Sequence, residues 1–421
     1  MSNATDRGPR PGAGLRAATL LLCTVPTAAC GGSEATARET IGDTLVVTSV
    51  APLIADTLRP VEVTRYGRFD GPPEHQFADI HSFAVGPDGH VYVHDRNGGI
   101  RRFDAAGQFV ERVAGPGEGP ADVDYVIAMD VARDGRLAVY DYGNAVIKLF
   151  DGGDVTTVRR PDGYPRYRGG GLRFHEDGTL WVGVTPPFPE EGGIRHPRAA
   201  FTRLAGGGDF VDTVYTPRRL GDDCSTLTDY AHVAGFWEDN REPYVPKAKW
   251  ALGADGRLVI GCPRRYAFDV LLDGGRVLRV VRPWTPVELS AEEKALHERY
   301  GRTGPLPDLR PAYASIVLPD DGRIWVWPTH PNVREALPRE TVERYGVTHT
   351  WTIAWQGTFD VFDPDGRWRA VVRLPEDARY SGYPTEPDVV IRGDTLWAVA
   401  TDDFDVEYVV RYEVRGLSDE R

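Results

Sequence analysis

Five histidines stand in irregular stretches of the sequence where folding could bring imidazoles together: His75, His81, His232, His330 and His349. Imidazole is a common ligand of zinc and other borderline metal ions, and near neutral pH it also serves as a general base. Convergence of these side chains would therefore give a metal site or a base. The alternative is that they are surface or hydrogen-bonding residues of loops.

Acidic residues form a second candidate group. Asp402, Asp403 and Asp405 lie close together near the end of the chain, and Asp70 could join them. Calcium prefers several carboxylate and carbonyl oxygens, so these four aspartates are a candidate calcium site. The alternative is a solvated acidic loop. Beyond this open choice of calcium or zinc, no cofactor is predicted.

Aromatic residues and arginines alternate in the second half of the chain. Exposed rings beside guanidinium groups suit stacking on sugars or holding a peptide. The members of this group are Trp237, Tyr244, Trp284, Trp327, Trp351, Trp355, Arg264, Arg265 and Arg310. The alternative is that these rings pack inserted loops onto the body of the fold.

Other chemistries find little support. There is no nucleophile motif or metalloprotease spacing, and the glycine-rich run GPGEGPAD does not lead from a strand into a helix as a phosphate loop does. Asp95 and Asp141 each follow an apolar run, where an aspartate more simply accepts backbone N–H bonds. The net charge of −13 argues against a nucleic-acid partner. We favour a binding role and leave catalysis open.

The elements that must position these residues are repeats. Residues 83–151 contain one pattern twice: an apolar alternating run, an Asp-Gly turn, a second run ending in Asp, a loop with Asn, a third run ending in Phe-Asp, and a fourth run. Four short antiparallel strands per unit are typical of a β-propeller blade. Phe103, Phe150 and Phe362 occupy matching places and are predicted to lie in the core between blades.

The Asp-Gly turn counts the blades. It occurs at residues 88, 134, 177, 255 and 321, and in reversed form at Gly393-Asp394, each time before an apolar run. The sequence therefore predicts an all-β, six-bladed propeller of four-stranded blades over residues 43–415. The last blade lacks an outer strand, and we predict that residues 60–67 supply it and close the ring. Residues 43–50 form a further, weaker strand outside the ring.

Spacing between the turns shows where the chain is enlarged. The first intervals are 46 and 43 residues, near the ~40–45 of a bare blade, and the next are 78, 66 and 72. The excess falls in two loops after second strands and in two links between blades, which open on the same side of a propeller. We call this side the insertion face; the inserted segments are residues 185–199, 216–247, 282–312 and 328–356. Short helices are predicted after Ser290 and over residues 338–346.

The regular blades also carry a resemblance to a known family. The first two blades, with the run AGPGEGPAD between them, resemble six-bladed β-propeller lipoproteins of bacterial exported proteins and, more distantly, NHL-repeat propellers. The residues that carry it are Asp95, Asn97, Ile100, Phe103, Asp104, Gly107, Asp141, Asn144, Ile147, Phe150 and Asp151. The close match covers residues 61–159. It implies the fold and the location of the protein, and it implies no activity.

The first residues are typical of an export signal. Three arginines precede the apolar residues 17–25, and TAAC, which resembles a bacterial lipobox with Thr27 in the place of the commoner Leu, ends at Cys30. We predict a lipoprotein-type signal over residues 1–29, lipidation of Cys30 and a tether over residues 30–42; plain secretion and a cytoplasmic start are the alternatives. Cys224 and Cys262 would then form a disulfide, the alternative being two free thiols.

Together these patterns predict a monomeric, exported and lipid-anchored protein of the bacterial cell envelope. Its insertion face would bind a peptide, a protein or a glycan, and its membrane contact would be through the anchor alone. The rival prediction is a hydrolase or lyase with a metal ion in the funnel along the propeller axis.

Overall fold

Six antiparallel sheets form the blades of a propeller in the computed structural model of the chain. The structure describes residues 35–160, 164–165, 171–185, 190–191, 194–195, 200–204, 209–215, 249–291, 294, 308–329, 342–344, 347–349, 357–375, 389–402, 404 and 406–418. All of them belong to one compact unit, residues 35–421. The predicted fold class, an all-β six-bladed propeller, is confirmed.

Each blade runs from an innermost strand at the axis to an outermost strand at the rim. In blades 1 to 3 the strands are Ile80–Val85, Val91–Asp95, Gly99–Phe103 and Phe109–Ala114; Val126–Val131, Leu137–Asp141, Val146–Asp151 and Asp154–Arg159; Leu172–Phe174, Leu180–Thr185, Ala200–Leu204 and Phe210–Tyr215, with Tyr164–Pro165 also on the second strand. In blades 4 to 6 they are Lys249–Leu252, Leu258–Gly261, Ala267–Leu271 and Val277–Val281; Tyr313–Val317, Ile324–Pro328, Thr358–Phe362 and Trp368–Arg373; Val389–Arg392, Thr395–Thr401, Glu407–Glu413 and Val61–Tyr66.

The Asp-Gly turns close the first hairpin of each blade by one device. In the first turn the carboxylate of Asp88 accepts the N–H of His90 at 3.1 Å, and Gly89 has a φ of +82°, which favours glycine. In the next four blades the aspartate of the turn likewise accepts the N–H of the residue two positions on, at Asp134, Asp177, Asp255 and Asp321. A shared turn chemistry therefore explains why this dipeptide marks the blades. We call the side that carries these turns the turn face.

Apolar side chains pack between neighbouring blades. Phe103 and Phe362 are fully buried and Phe150 nearly so, which confirms that the phenylalanine at this place in the repeat belongs to the core between blades. Phe103, for example, packs edge to face against Tyr66 and Phe77 at 6.3 and 5.7 Å. These contacts hold the blades at fixed angles, so the loop ends on each face keep their positions.

Ring closure follows the prediction. Val61–Tyr66 pairs antiparallel with Glu407–Glu413 and becomes the outermost strand of blade 6, with Tyr66 opposite Val409. The Tyr66 side chain is fully buried among apolar residues of blades 1 and 6. The two ends of the folded chain therefore meet in one sheet, and the edge of blade 6 is covered.

The residues before the closing strand form a belt along the rim. Thr44–Ser49 pairs in parallel with the outer strand of blade 4, and Thr36–Ile41 pairs antiparallel with Thr44–Ser49, so this sheet has six strands. Further on, the N–H groups of Leu53, Ile54 and Leu58 donate to carbonyls of the outer strand of blade 5. The belt thus runs from blade 4 across blade 5 to blade 6.

The belt differs from two expectations. The segment predicted as a tether, residues 30–42, contains Thr36–Ile41, whose backbone hydrogen bonds are made within the sheet; the unpaired connection therefore ends before residue 36. Residues 43–50 are paired into blade 4, with Val47 fully buried, and do not merely pack outside the ring. Residues 1–34, with the predicted signal and Cys30, lie outside the described residues.

The two predicted helices have different outcomes. Ala291 and Lys294 are helical, and the N–H of Lys294 donates to the carbonyl of Ser290 at 3.1 Å; the residues that follow lie outside the described part. The prediction over residues 338–346 is wrong, because Val342–Arg344 pairs with Val347–His349 as a hairpin. Valine and threonine, which occur in both segments, favour strands over helices.

Candidate functional site

A row of polar and aromatic side chains lies where the innermost strands of blades 1 and 2 begin, on the insertion face. His81 contacts Tyr125 of the next blade, with ring centroids 4.4 Å apart, and the Arg96 guanidinium lies over the same ring at 5.3 Å. Asp79 lies between the imidazole and the guanidinium, since its carboxylate oxygens lie 3.8 Å from Nδ1 of His81 and 3.5 Å from Nε of Arg96. We call these four residues, with Tyr142 and Arg160, the axial row.

The second half of the axial row belongs to blade 2. Tyr142 follows its second strand and contacts Tyr125 edge to face at 6.2 Å, and the Arg160 guanidinium lies over the Tyr142 ring at 5.5 Å. Two adjoining tyrosine rings with a guanidinium group over each therefore extend across two blades. All six side chains keep some exposure to solvent, so the row is a surface and not part of the core.

A bulge in the innermost strand places His81. Ile80 pairs with Asp95 and Ser82 pairs with the next residue back, His94, so His81 is an extra residue with no partner in the ladder. The same irregularity occurs at Ile127 in blade 2. Bulges bend a strand and change the direction of a side chain, which explains how an inner-strand residue can meet Tyr125 of the next blade.

His94 is buried beneath the axial row. Its side chain is fully buried, its ring centroid lies 6.2 Å from that of His81, and neither ring nitrogen has a hydrogen-bond partner of good geometry among the described residues, although the Asp124 backbone lies near. Burial lowers the pKa of His94 to about 3, and the charge of His81 acts in the same direction. The imidazole is therefore neutral at physiological pH.

Asp79 has the opposite electrostatic environment. The nearby imidazole of His81 and, to a smaller extent, the guanidinium of Arg96 lower the pKa of its carboxyl, against the effect of partial burial. Asp79 is therefore an anion at neutral pH, and it lies between the His81 imidazole and the Arg96 guanidinium, the two groups that contact the ring of Tyr125.

The loops below this surface are fixed by buried ion pairs. Arg101 is paired with Asp95, and its Nη1 donates to the carbonyls of Pro73, Glu74 and Gln76, at 2.7 Å for Gln76. Asp95 also accepts the N–H of Asp79 at 3.1 Å. In blade 2 the matching pair is Asp141 with Lys148, and Asp141 accepts the N–H groups of Asp124 and Asn144. These aspartates are therefore structural, as predicted.

On the turn face, side chains from different blades contact one another near the axis. Arg173 of blade 3 is paired with Asp320 of blade 5, across the intervening blade 4, and the Arg392 guanidinium of blade 6 donates to the carbonyl of Val85 in blade 1 at 2.6 Å. The side chains between them include Asp130, whose carboxylate accepts the N–H of Phe174 at 2.7 Å. On this face one ion pair thus joins blades 3 and 5, and hydrogen bonds join the inner strands of the neighbouring blades 6 and 1 and of blades 2 and 3.

Three of the predicted binding residues are buried. His75 packs against Phe103 at 5.6 Å, and burial lowers its pKa. Trp327 lies in the core with its ring 5.3 Å from Phe359, and Arg310 is 4% exposed. The structure does not support them as surface contacts, because each lies at an end of a strand or link that packs between blades.

The remaining predicted residues have mixed outcomes. Arg264 and Arg265 are exposed, after the second strand of blade 4 on the insertion face, and His81 lies in the axial row. His349 lies in the small hairpin formed by residues 342–344 and 347–349. The positions outside the described residues are His232, Trp237, Tyr244, His330, Trp351, Trp355 and Cys224. Cys262 is disulfide-bonded, and its pairing with Cys224 stays a prediction.

The aspartates predicted to bind calcium are only partly described. Asp402 uses its carboxylate within its own loop, where it accepts the N–H groups of Phe404 and Val406 and the hydroxyl of Tyr408. Asp70 is exposed, and Asp403 and Asp405 lie outside the described residues. In the part of the chain that the structure describes, no three His, Cys, Asp or Glu side chains are grouped to hold a metal ion.

Sequence reasoning missed most of the axial row. Arg96 and Tyr142 occupy equivalent places, directly after the second-strand aspartate of blades 1 and 2. Asp79 and Tyr125 are equivalent too, since each directly precedes the inner strand of its blade. Superimposing the two repeats would have brought these positions together. We instead searched for chemistry in the inserted segments, because those break the repeat.

Comparisons with known proteins do not assign the chain to a family. No family model and no curated protein matches the sequence. A solved structure of a Bacteroides fragilis NCTC 9343 protein predicted to be exported is similar over 88% of this chain and 99% of that one, with 9% identity and a TM-score of 0.46. A catalytically inactive virginiamycin B lyase from Staphylococcus aureus, solved with quinupristin, is similar over 85% and 99%, with 13% identity and a TM-score of 0.40. Likenesses this distant carry no statement about ligand or activity.

Proposed function

We propose that this protein is an exported binding module that takes a peptide, protein or glycan ligand on its insertion face. The observation that carries the proposal is the axial row, in which the adjoining rings of Tyr125 and Tyr142 lie between the guanidinium groups of Arg96 and Arg160, with His81 against Tyr125. Tyrosine rings stack on sugar rings or apolar side chains, and guanidinium groups bind carboxylates and hydroxyls. These are the contacts that peptide and glycan ligands need.

The arrangement of the two faces supports binding from one side. Arg173 and Asp320 meet across the axis on the turn face, and the inner-strand ends there are already engaged with one another. On the insertion face the side chains of the axial row are half-buried and keep some exposure to solvent. A ligand that reaches the axis would therefore do so past the axial row.

Binding can be tested with peptide and glycan arrays. We expect a ligand whose dissociation constant rises at least about tenfold in the Tyr125→Ala variant and in the Arg96→Ala variant, as for central aromatic and arginine contacts of an interface. Arg133→Ala is the matched control, because Arg133 is an exposed arginine of the turn face whose ion pair among the described residues is with Glu176. A ligand that the Arg133 variant loses and the Tyr125 variant keeps would contradict the proposal.

A metal-dependent hydrolase or lyase is the second candidate. The observation in its favour is the pair of His81 and His94, with the buried ring nitrogens of His94 unpartnered among the described residues. Elemental analysis of the purified protein separates the two functions. Stoichiometric zinc or calcium that is lost with His81→Ala or Asp402→Ala would favour the enzyme. The binding proposal instead expects that a chelator leaves the affinity for array ligands unchanged.

The location of the protein is part of the proposal. We infer that Cys30 is lipidated in the bacterial cell envelope, and that Cys224 and Cys262 form a disulfide that holds an inserted segment to blade 4. Among the described residues, no helix is of a length and apolarity that would span a membrane. Mass spectrometry of protein produced with export should find a lipid-modified residue 30 and a Cys224–Cys262 peptide; an unmodified residue 30 with free thiols would contradict both assignments.

A further inference from the structure

A run of six apolar residues lies on the rim of blade 5. Residues 50–55, which read VAPLIA, follow the belt hairpin formed by Thr36–Ile41 and Thr44–Ser49, and within this run only Ile54 is buried. Val50 is 56% exposed and Leu53 is 47% exposed. Consecutive exposed apolar residues are unfavourable on a domain surrounded by water and are typical of contact sites for other molecules. We call residues 50–55 the apolar loop.

The backbone of the apolar loop is fixed although most of its side chains are exposed. The N–H groups of Leu53 and Ile54 donate to the carbonyls of Trp368 and Arg369 at 2.9 and 2.8 Å. The Ile54 side chain is 8% exposed and packs in the core between blades 5 and 6. Two hydrogen bonds and one buried side chain therefore determine where Val50 and Leu53 meet the solvent.

The apolar loop lies at the end of the rim that belongs to the turn face. Trp368, which accepts the N–H of Leu53, begins the outermost strand of blade 5 after the turn at Asp365-Gly366. Neighbouring strands of this blade are antiparallel, so the turn between its third and fourth strands is on the same side as the Asp-Gly turn between its first and second. The apolar loop is therefore on the side of the molecule away from the insertion face.

The apolar loop begins where the chain from the predicted anchor joins the blades. The N–H of Val50 donates to the carbonyl of Ala35 at 2.9 Å, because the belt hairpin brings its two ends together. Ala35 is five positions after Cys30. An extended chain spans at most about 3.6 Å per residue, or about 18 Å over this distance. A lipid on residue 30 would therefore keep the Val50 end of the apolar loop close to the bilayer surface.

The charged groups beside the apolar loop are of both signs. They are Arg38 and Arg367, both paired with Asp365, then Arg369, paired with Asp363, and the exposed Asp56 and Arg59. Neither sign predominates clearly, so apolar contact and not charge must supply the attraction for whatever covers the loop. The interface of a bilayer buries apolar side chains while charged groups beside them stay at the level of the headgroups.

We propose that the apolar loop rests in the interface of a phospholipid bilayer beside the lipid anchor, as a second membrane contact of the protein. This inference rests on the location proposed above, since the lipid on residue 30 keeps the loop at the bilayer. Val50 and Leu53 would lie between headgroups and acyl chains, where the strength of binding follows the apolar area buried. The turn face of blade 5 is then directed to the membrane, and the insertion face is directed away from it and open to ligands.

Quenching by brominated lipids tests the proposal with the exported, acylated protein in phosphatidylcholine vesicles. A fluorescent label is attached to Leu53→Cys and, in separate proteins, to Val110→Cys and Phe404→Cys; labelling without reductant keeps the disulfide of Cys262. The two controls are exposed apolar positions, on the rim of blade 1 and on the insertion face of blade 6. We expect quenching at residue 53 to be at least about threefold stronger than at either control, and to fall at least about twofold when Val50→Asp is added.

The outcomes separate this inference from the proposed location. Protein that floats with the vesicles but is quenched no more at residue 53 than at residues 110 and 404 would overturn the inference and leave the anchor standing. Protection of the label at residue 53 from iodide in the unacylated Cys30→Ser protein, without vesicles, would assign the loop to a contact between two copies of the chain and would also overturn it. Protein that does not float and has no lipid on residue 30 would contradict the location itself, and the inference with it.

Discussion

A chain that starts at Gly67 is expected to lose cooperative folding, while a chain that starts at Ala35 melts like the full protein. The first deletion removes the strand Val61–Tyr66, so blade 6 loses its outermost strand and the buried Tyr66 side chain. Loss of a buried large aromatic side chain alone costs about 3–5 kcal/mol, and exposing the edge of blade 6 adds to it. The total is comparable with the whole stability of a typical domain.

Intermediate variants make this prediction quantitative. A chain that starts at Pro60 keeps the closing strand but loses the belt with the buried Val47 and Ile54, so we expect its free energy of unfolding to fall between the other two. In the full chain, Tyr66→Ala should cost about 3–5 kcal/mol, and the exposed Val63→Ala less than about 0.5 kcal/mol. Equal melting temperatures for chains that start at Ala35 and Gly67 would show that the ring is closed in another way.

Acid should destabilise the protein through His94. Its folded-state pKa is lowered to about 3 from the ordinary 6.5, so between these values the unfolded chain binds the proton more readily. The stability that this group supplies is complete above pH 6.5 and is lost as the pH falls. At pH 4 the loss amounts to about 3 kcal/mol, and the surrounding charges of His81, Asp79 and Arg96 set its final size.

The His94→Leu variant isolates this effect. Because the buried ring nitrogens have no good hydrogen-bond partner among the described residues, an apolar side chain of similar volume should leave the stability at pH 7 within about 1 kcal/mol of the wild type. Denaturant unfolding at pH 7 and pH 4 should then show a smaller acid loss in this variant. His90→Gln serves as the control, since His90 is partly exposed beside Asp88. Equal acid losses in the wild type and the His94 variant would refute the assignment.

The sequence was most informative where local chemistry repeats. The Asp-Gly turns are visible in the sequence because in each the carboxylate accepts the N–H of the residue two positions on. Ring closure could be predicted because blade 6 has one strand too few and one additional strand precedes blade 1. The belt was harder to predict. Thr44–Ser49 pairs in parallel with a strand more than 200 residues away, and no turn between them marks the pairing.

The candidate site was predicted less well for a physical reason. Surface chemistry here depends on residues that meet across blades, as His81 and Tyr125 do, and spacing along the chain does not report such contacts. Residue type misled us at Trp327 and Arg310, which were selected as aromatic and cationic binding residues and are buried between packed strands. The same types at Arg96 and Tyr142 form the surface, because they follow the second strands directly.

Hydrogen exchange with the tightest array ligand tests the central claim, which is that the insertion face binds. The account predicts slower exchange, on addition of ligand, for the backbone N–H groups at the starts of the inner strands of blades 1 and 2, around residues 79–81 and 124–126. It predicts unchanged exchange at the Asp-Gly turns of the same blades, residues 88–90 and 134–136. Protection of the turns without protection of the axial row would contradict the account.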